Sequence, residues 1–231
     1  MTALLIEHPA LAAISEDLRT CLVRMLAHAK GRPAQVQVSS AEHRAHGIFS
    51  RVSEIDNCLR SLRIAIAGLQ AEATSHSPNV EQYRYHAENY LLRLTGIYDR
   101  ACRFAGVTIG MTSHQVDRQS GNLDVLRNLS SYGALNAVER LSELKALLEP
   151  HWDNRNVVAH AGEFSSREIG LFVTVSQVKL ESVSPDELHK LMAEHFRDGA
   201  LDFGLLALQA EGLLYRLIED LAPAIASASH P

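Results

Sequence analysis

Arg155, Asn156 and His160 fall inside six residues, RNVVAH, separated only by Val157, Val158 and Ala159. These residue types suit cleavage of RNA without a metal. Histidine titrates near neutral pH and can remove the proton of a ribose 2′-hydroxyl. Arginine stays charged and can hold the scissile phosphate as its oxygens gain charge. Asparagine can orient the histidine ring or the phosphate by hydrogen bonding.

The spacing fits a short helix. At about 100° per residue, with Arg155 at zero, Asn156 lies near 100° and His160 near 140°. The three polar side chains then share one arc, and Val157 and Val158 fall on the opposite side, where they can pack into a core. Pro150 closes the preceding helix. Asp153 or Asn154 can cap the new one and Gly162 can end it. The polar arc is expected in the first turns, where free N–H groups and the positive dipole end favour an anion. In a chain with 12 His and 18 Arg, chance supplies roughly three arginines four to six residues before a histidine. Requiring asparagine directly after the arginine lowers that to roughly 0.1, so Asn156 carries most of the specificity.

Long helices must position such a segment. Ile48, Val52, Ile55, Leu59, Leu62, Ile66 and Leu69 recur at spacings of 4 and 3, an apolar seam along one helix. The stretch ATSHSPNV breaks the chain. Val80, Tyr83, Ala87, Tyr90, Leu94, Ile97, Ala101 and Phe104 repeat the seam on a second helix, with Gly106 as its stop. Residues about 43–72 and 79–105 are therefore expected as the two longest helices, packed antiparallel. Val107 to Ser120 reads as a loop, Leu123 to Leu129 as a short apolar pattern, and Ala134 to Leu148 as a further helix.

After the motif, REIGLFVTVSQVKL alternates Ile169, Leu171, Val173 and Val175 with other residues. It predicts a small β-type insert over about 166–181. SPDELHKLMAEHF restarts a helix with Ser184 as N-cap and Pro185 at its first position. A last amphipathic helix is expected from about Leu201 to Leu221, so that C-terminal helices cover about 184–222. The expected fold is all-α, an antiparallel helical bundle with that small β-type insert, in a single helical domain over residues 1–231 whose core covers about 43–165.

Composition narrows the function classes. Apolar residues make up 46% of 231, enough for a sizeable core, and the net charge of −5 argues against strong non-specific nucleic-acid binding. Arginine outnumbers lysine 18 to 4, which favours forked contacts with phosphate or carboxylate. Cys21, Cys58 and Cys102 are widely spaced with no CxxC pair, as expected of reduced thiols in a cytoplasmic protein. The opening MTALLIEHPALAAISED has no basic start and does not read as a signal peptide, and no apolar run is long enough for a membrane span.

RNVVAH resembles the Arg-x4-6-His signature of the HEPN superfamily in its form with asparagine after the arginine. YRYHAENYLLRLTGIYDRACRF is similar to the helix that precedes this signature in several prokaryotic HEPN groups. The resemblance implies an all-helical domain that dimerises and brings two copies of the signature together. It further implies a metal-independent endoribonuclease of toxin or phage-defence type, with RNA as substrate, Arg155, Asn156 and His160 as the catalytic set, and an antitoxin or defence-system protein as a further partner. No cofactor, metal or membrane is called for. Where one toxin group carries a modified tyrosine two residues after the histidine, this chain has Gly162, so that control is not implied. The alternative is a catalytically silent module of the same kind that binds a nucleotide or a protein.

Other polar residues rank lower. His86, Glu88, Asn89 and Arg93 lie within two turns of the second long helix. In related domains that helix faces the signature, so Glu88 or Arg93 is an auxiliary candidate for orienting His160 or touching phosphate. Asp153 is a third auxiliary candidate, better suited to capping. His43 and His46 have metal-like spacing but lack acidic or cysteine partners. His151 beside Trp152 has a base-stacking look.

Overall fold

Both seams close as helix-on-helix packing. The computed structural model describes residues 4–29, 38–160, 164, 166–178 and 184–229. Its α-helices are α1 (Ser15–Ala29), α2 (Ser40–Ala73), α3 (Val80–Thr95), α4 (Ile97–Thr108), α5 (Ser113–Asp117), α6 (Gly121–Tyr132), α7 (Leu135–Leu148), α8 (Trp152–Ala159), α9 (Arg167–Val178), α10 (Pro185–Asp220) and α11 (Ala222–Ala226). Short 3-10 turns fill some of the connections. The described residues contain no strand. The chain folds as two compact units: residues 1–57, 97–146 and 211–231 form the first, and residues 58–96 and 147–210 the second.

In the first unit the start of α2 lies antiparallel to α4. The Arg44 guanidinium donates to the Thr108 carbonyl at 2.6 Å, and a Cβ on Gly47 would stand 3.2 Å from Val107. Ile48, Val52, Ile55, Ile97, Ala101 and Phe104 are buried along this seam. Gly106 is no helix stop. It sits inside α4, where a Cβ would come within 2.6 Å of Val116 and 2.7 Å of Val125, so its missing side chain lets α5 and α6 close on α4. Part of the expected loop is helix: Thr112 and Gln115 form a capping box that starts α5. Gly133, at φ 88°, ends α6 in the left-handed conformation. The buried Asp56 carboxylate accepts the N–H groups of Leu5 and Ile6 at 2.9 and 3.0 Å, anchoring the N-terminal turns.

The second unit carries the other half of the helical hairpin. The Cys58 thiol donates to the Arg93 carbonyl at 3.1 Å, and Gly68 faces the His86 ring. The pairing runs in opposite directions along α2 and α3, as the short loop between them requires. Leu69, Ala73, Val80, Tyr83 and Ala87 join Ile169 and Phe172 of α9 and Met192, Phe196 and Ala200 of α10 in one apolar cluster. Tyr83 stacks on Phe196 with ring centroids 4.0 Å apart. The Tyr90 hydroxyl donates to the Phe203 carbonyl at 2.7 Å. Residues rising along α3 thus meet residues rising along α10, and the two helices run parallel.

Three further expectations need correction. The second long helix is interrupted at Gly96, between α3 and α4. Glycine weakens a helix by about 1 kcal/mol relative to alanine, and the Thr95 hydroxyl beside it donates back to the Leu91 carbonyl. The two longest helices are consequently α2 and α10, because the segments expected to restart at Ser184 and Leu201 are one helix. Ser184 does start it, in a capping box with Glu187. The β-type insert is replaced over Arg167–Val178 by α9, and residues 179–181 lie outside the described residues. The alternating apolar residues also contain a helical pattern: Ile169, Phe172 and Val173 turn to the core while Leu171 stays 58% exposed. The Ser166 hydroxyl accepts the Ile169 N–H at 3.1 Å and caps the helix.

Candidate functional site

The motif belongs to the second unit. Leu148 is buried at the end of α7. Pro150 then forces one 3-10 turn, Glu149–His151, and the chain re-enters a helix at Trp152. The turn and α8 both pack on α3. His151 stands at the N-cap position of α8 without a side-chain cap bond. Asp153 and Asn154 are therefore inside the helix and cap nothing, and Asp153 lies in the first turn, where its charge complements the dipole. Burial holds the His151 imidazole below its ordinary pKa.

Arg155 and Asn156 occupy the middle of this eight-residue helix. Both are exposed, and the guanidinium donates to the Asn156 side-chain oxygen at 3.0 Å. His160 is the first residue past the helix; its N–H donates to the carbonyls of Asn156 and Val157 at 3.1 and 3.3 Å. The imidazole-bearing residue is thus held one turn on from Asn156 and is exposed. The expected placement at the helix start does not hold: the set occupies the middle and the C-terminal end, where carbonyls are free. The valines divide as well. Val157 is 54% exposed and only Val158 is half-buried, because α8 rests on α3 along a narrow stripe of two turns. Gly162 lies outside the described residues.

Of the auxiliary residues, Glu88 is tied to backbone. Its Oε1 accepts the Phe164 N–H at 2.9 Å, which anchors the chain just beyond the motif to α3. Sequence reasoning missed Phe164, whose ring packs against the apolar cluster; the one available signal was an aromatic residue isolated in a polar stretch. Arg93 instead lines a groove of about 330 Å³ between α2 and α3, together with His86 and Asn89. Ile64 in the same groove was also missed, although an isoleucine off the buried seam of α2 was the visible sign.

Among the described residues no group of three histidine, cysteine or acidic side chains could hold a metal ion, His43 and His46 included. None of the three cysteines is in a disulfide and all are buried; burial pushes the Cys102 thiol up to about 12, so it is inert as a nucleophile. No helix among the described residues is long and apolar enough to cross a membrane. What the arrangement around α8 offers is a cation, an amide and an imidazole, exposed within two turns on a short helix. No family model, curated protein or solved structure matches the chain.

Proposed function

We propose that this protein is a metal-independent endoribonuclease of HEPN type, acting as a homodimer through Arg155, Asn156 and His160. The observation that supports the reading is their joint exposure: none of the three is consumed by a buried structural bond. Side chains that only held the fold together would be expected inside it.

In this reading His160 takes the proton of a ribose 2′-hydroxyl. The 2′-oxygen forms a bond to the adjacent phosphorus and the bond to the 5′-oxygen breaks, leaving a 2′,3′-cyclic phosphate and a 5′-hydroxyl. The departing oxygen takes its proton from water or from the second copy's imidazolium. Arg155 forks the non-bridging oxygens as they gain charge. Asn156, fixed against Arg155, limits the guanidinium to one direction. An RNA-cleaving protein has to be restrained in its host, so a neutralising or defence-system partner belongs to the proposal.

Labelled RNA incubated with wild type, Arg155→Ala and His160→Ala tests it, with thermal melts alongside. Wild type should cut in EDTA and leave the cyclic phosphate. His160→Ala should slow cleavage by about 10²- to 10⁴-fold while costing no more than about 1 kcal/mol of stability. If folded wild type cuts no RNA, or His160→Ala cuts equally well, the silent binding module is the correct reading.

A further inference from the structure

We propose that the N-terminal segment, residues 4–14, is an acid-released latch on the first unit. The neutral His8 imidazole holds it closed, and a proton on that ring opens it while the rest of the unit stays folded. The assignment does not depend on the ribonuclease reading.

Hydrogen bonding fixes the charge state of the closed latch. His8 is the N-cap of the 3-10 turn Pro9–Ile14, and its Nδ1 accepts the Ala10 N–H at 3.1 Å. A nitrogen that accepts carries no proton, so the single ring proton of the neutral imidazole is on Nε2. An imidazolium has an N–H at both positions and accepts at neither. Protonation therefore sets the Nδ1–H against the Ala10 N–H, donor to donor. Turning the ring over brings Cδ2 to that place and restores no acceptor. Either way, charging His8 removes the cap from the segment.

Burial deepens the effect. His8 is 6% exposed, and its Nε2 has no hydrogen-bond partner among the described residues. The ring lies against Tyr215 of α10, centroids 4.2 Å apart, so little water is at hand to solvate a charge. The Glu219 carboxylate, also on α10, favours the imidazolium, but burial outweighs it and holds His8 below its ordinary pKa. The other elements packed on Pro9–Ile14 add little. α11 and the turn Ser227–Ser229 carry no ionisable side chain. α1 brings Glu16 and Asp17 in its first turn, with Glu16 paired to Arg19. Within the segment, Glu7 accepts the Leu4 N–H at 3.3 Å.

The segment is built to leave as a piece. Its polar tie to α2 is the Asp56 carboxylate, which accepts the Leu5 and Ile6 N–H groups. Both clamps, Asp56 and His8, are therefore acceptors, the kind of bond a proton removes. The apolar hold is short: Leu5, Leu11 and Ile14 are its buried side chains, against the long seams that fix α2 and α4. Such a segment opens at lower free energy than the unit it covers. The sign of the pH effect follows from the proton count. Released, His8 titrates near its ordinary value of about 6.5; docked, it titrates lower. The open form binds the extra proton, so closure is complete above about pH 6.5 and weakens as pH falls. The weakening reaches up to about tenfold per pH unit until the docked ring protonates too.

Hydrogen exchange of the full chain tests this, read as protection factors so that the pH dependence of intrinsic exchange drops out. Protection at Leu5, Ile6, Ala10 and Leu11 should fall by about tenfold or more between about pH 7 and pH 5, while the amides of α4 keep theirs. His8→Asn places a side-chain oxygen where Nδ1 stands and cannot titrate, so its protection should change by no more than about twofold over that range. Glu219→Gln removes the charge that favours the imidazolium and should carry the fall to lower pH. Nitrogen-15 resonances of the wild-type His8 ring should show the Nε2–H tautomer at neutral pH. Constant protection in wild type, an equal fall in His8→Asn, a parallel fall in α4, or the Nδ1–H tautomer would each overturn the assignment. If His8→Asn frees the segment at every pH, the wild-type ring decides. Its protonation must coincide with the loss of protection, and a fall at any other pH overturns the latch.

Discussion

Glu88 and Phe164 are joined across 76 residues by one hydrogen bond, from the Phe164 N–H to Glu88 Oε1 at 2.9 Å. The bond returns the chain to α3 just after the motif. α8 packs on the same helix, so α3 holds the segment that bears Arg155, Asn156 and His160 on both sides.

Removing the acceptor should loosen that attachment. Glu88→Ala is expected to cost about 1–3 kcal/mol, the value of a charged acceptor on a part-buried N–H. Glu88→Gln keeps an oxygen in place and should lose less. Urea denaturation gives both values, and hydrogen exchange at Phe164 should speed up in the alanine variant. An alanine variant that is fully stable but inactive on RNA would move Glu88 from anchoring into the chemistry.

The helical state of α9 separates two neighbouring residues. Phe172 is buried and Leu171 is 58% exposed. Phe172→Ala should cost about 3–5 kcal/mol and Leu171→Ser no more than about 0.5 kcal/mol. A strand with Leu171 on its buried face would give the reverse order, and equilibrium unfolding of the two variants decides.

Alkaline pH should destabilise the second unit through its tyrosines. Burial, assisted by the negative charge of Asp202, pushes the Tyr83 hydroxyl up to about 12, against about 10 in an unfolded chain. Folding therefore favours the neutral phenol. Its contribution is complete below about pH 10 and is lost as pH rises toward 12, on the order of 2 kcal/mol for Tyr83. Burial also raises Tyr90 in the same unit, and Tyr98 in the first unit. Melting temperatures should drop over this window, and less steeply in Tyr83→Phe. If tyrosinate absorbance shows all six tyrosines ionising near pH 10 in the folded protein, this account is wrong.

The hairpin was legible because its seams are long. Seven and eight apolar residues at 3,4 spacing leave no other period, and of these fifteen only Ile66 is less than buried. The α9 segment was not legible, because twelve residues rich in isoleucine, valine and phenylalanine satisfy both the strand and the helix pattern. Tertiary burial of Ile169 and Phe172 makes the choice. Gly106 misled for a related reason: glycine ends helices and also admits close neighbours, and spacing does not separate the two roles. At the site, residue types picked out Arg155, Asn156 and His160. The helix register around them depended on Pro150 starting a 3-10 turn before α8, which no capping rule anticipates.

The parallel course of α3 and α10 has a consequence for how the chain is made. Tyr90 and its partner Phe203 are 113 residues apart, and closing a loop of that length costs about 4 kcal/mol of chain entropy. At bacterial or eukaryotic translation rates, Phe203 leaves the ribosome on the order of ten seconds after Tyr90. Throughout that interval the α3 surface formed by Tyr83, Ala87 and Tyr90 lacks its α10 cover. That apolar surface stays uncovered during elongation, and slow synthesis between residues 90 and 203 prolongs its exposure to aggregation.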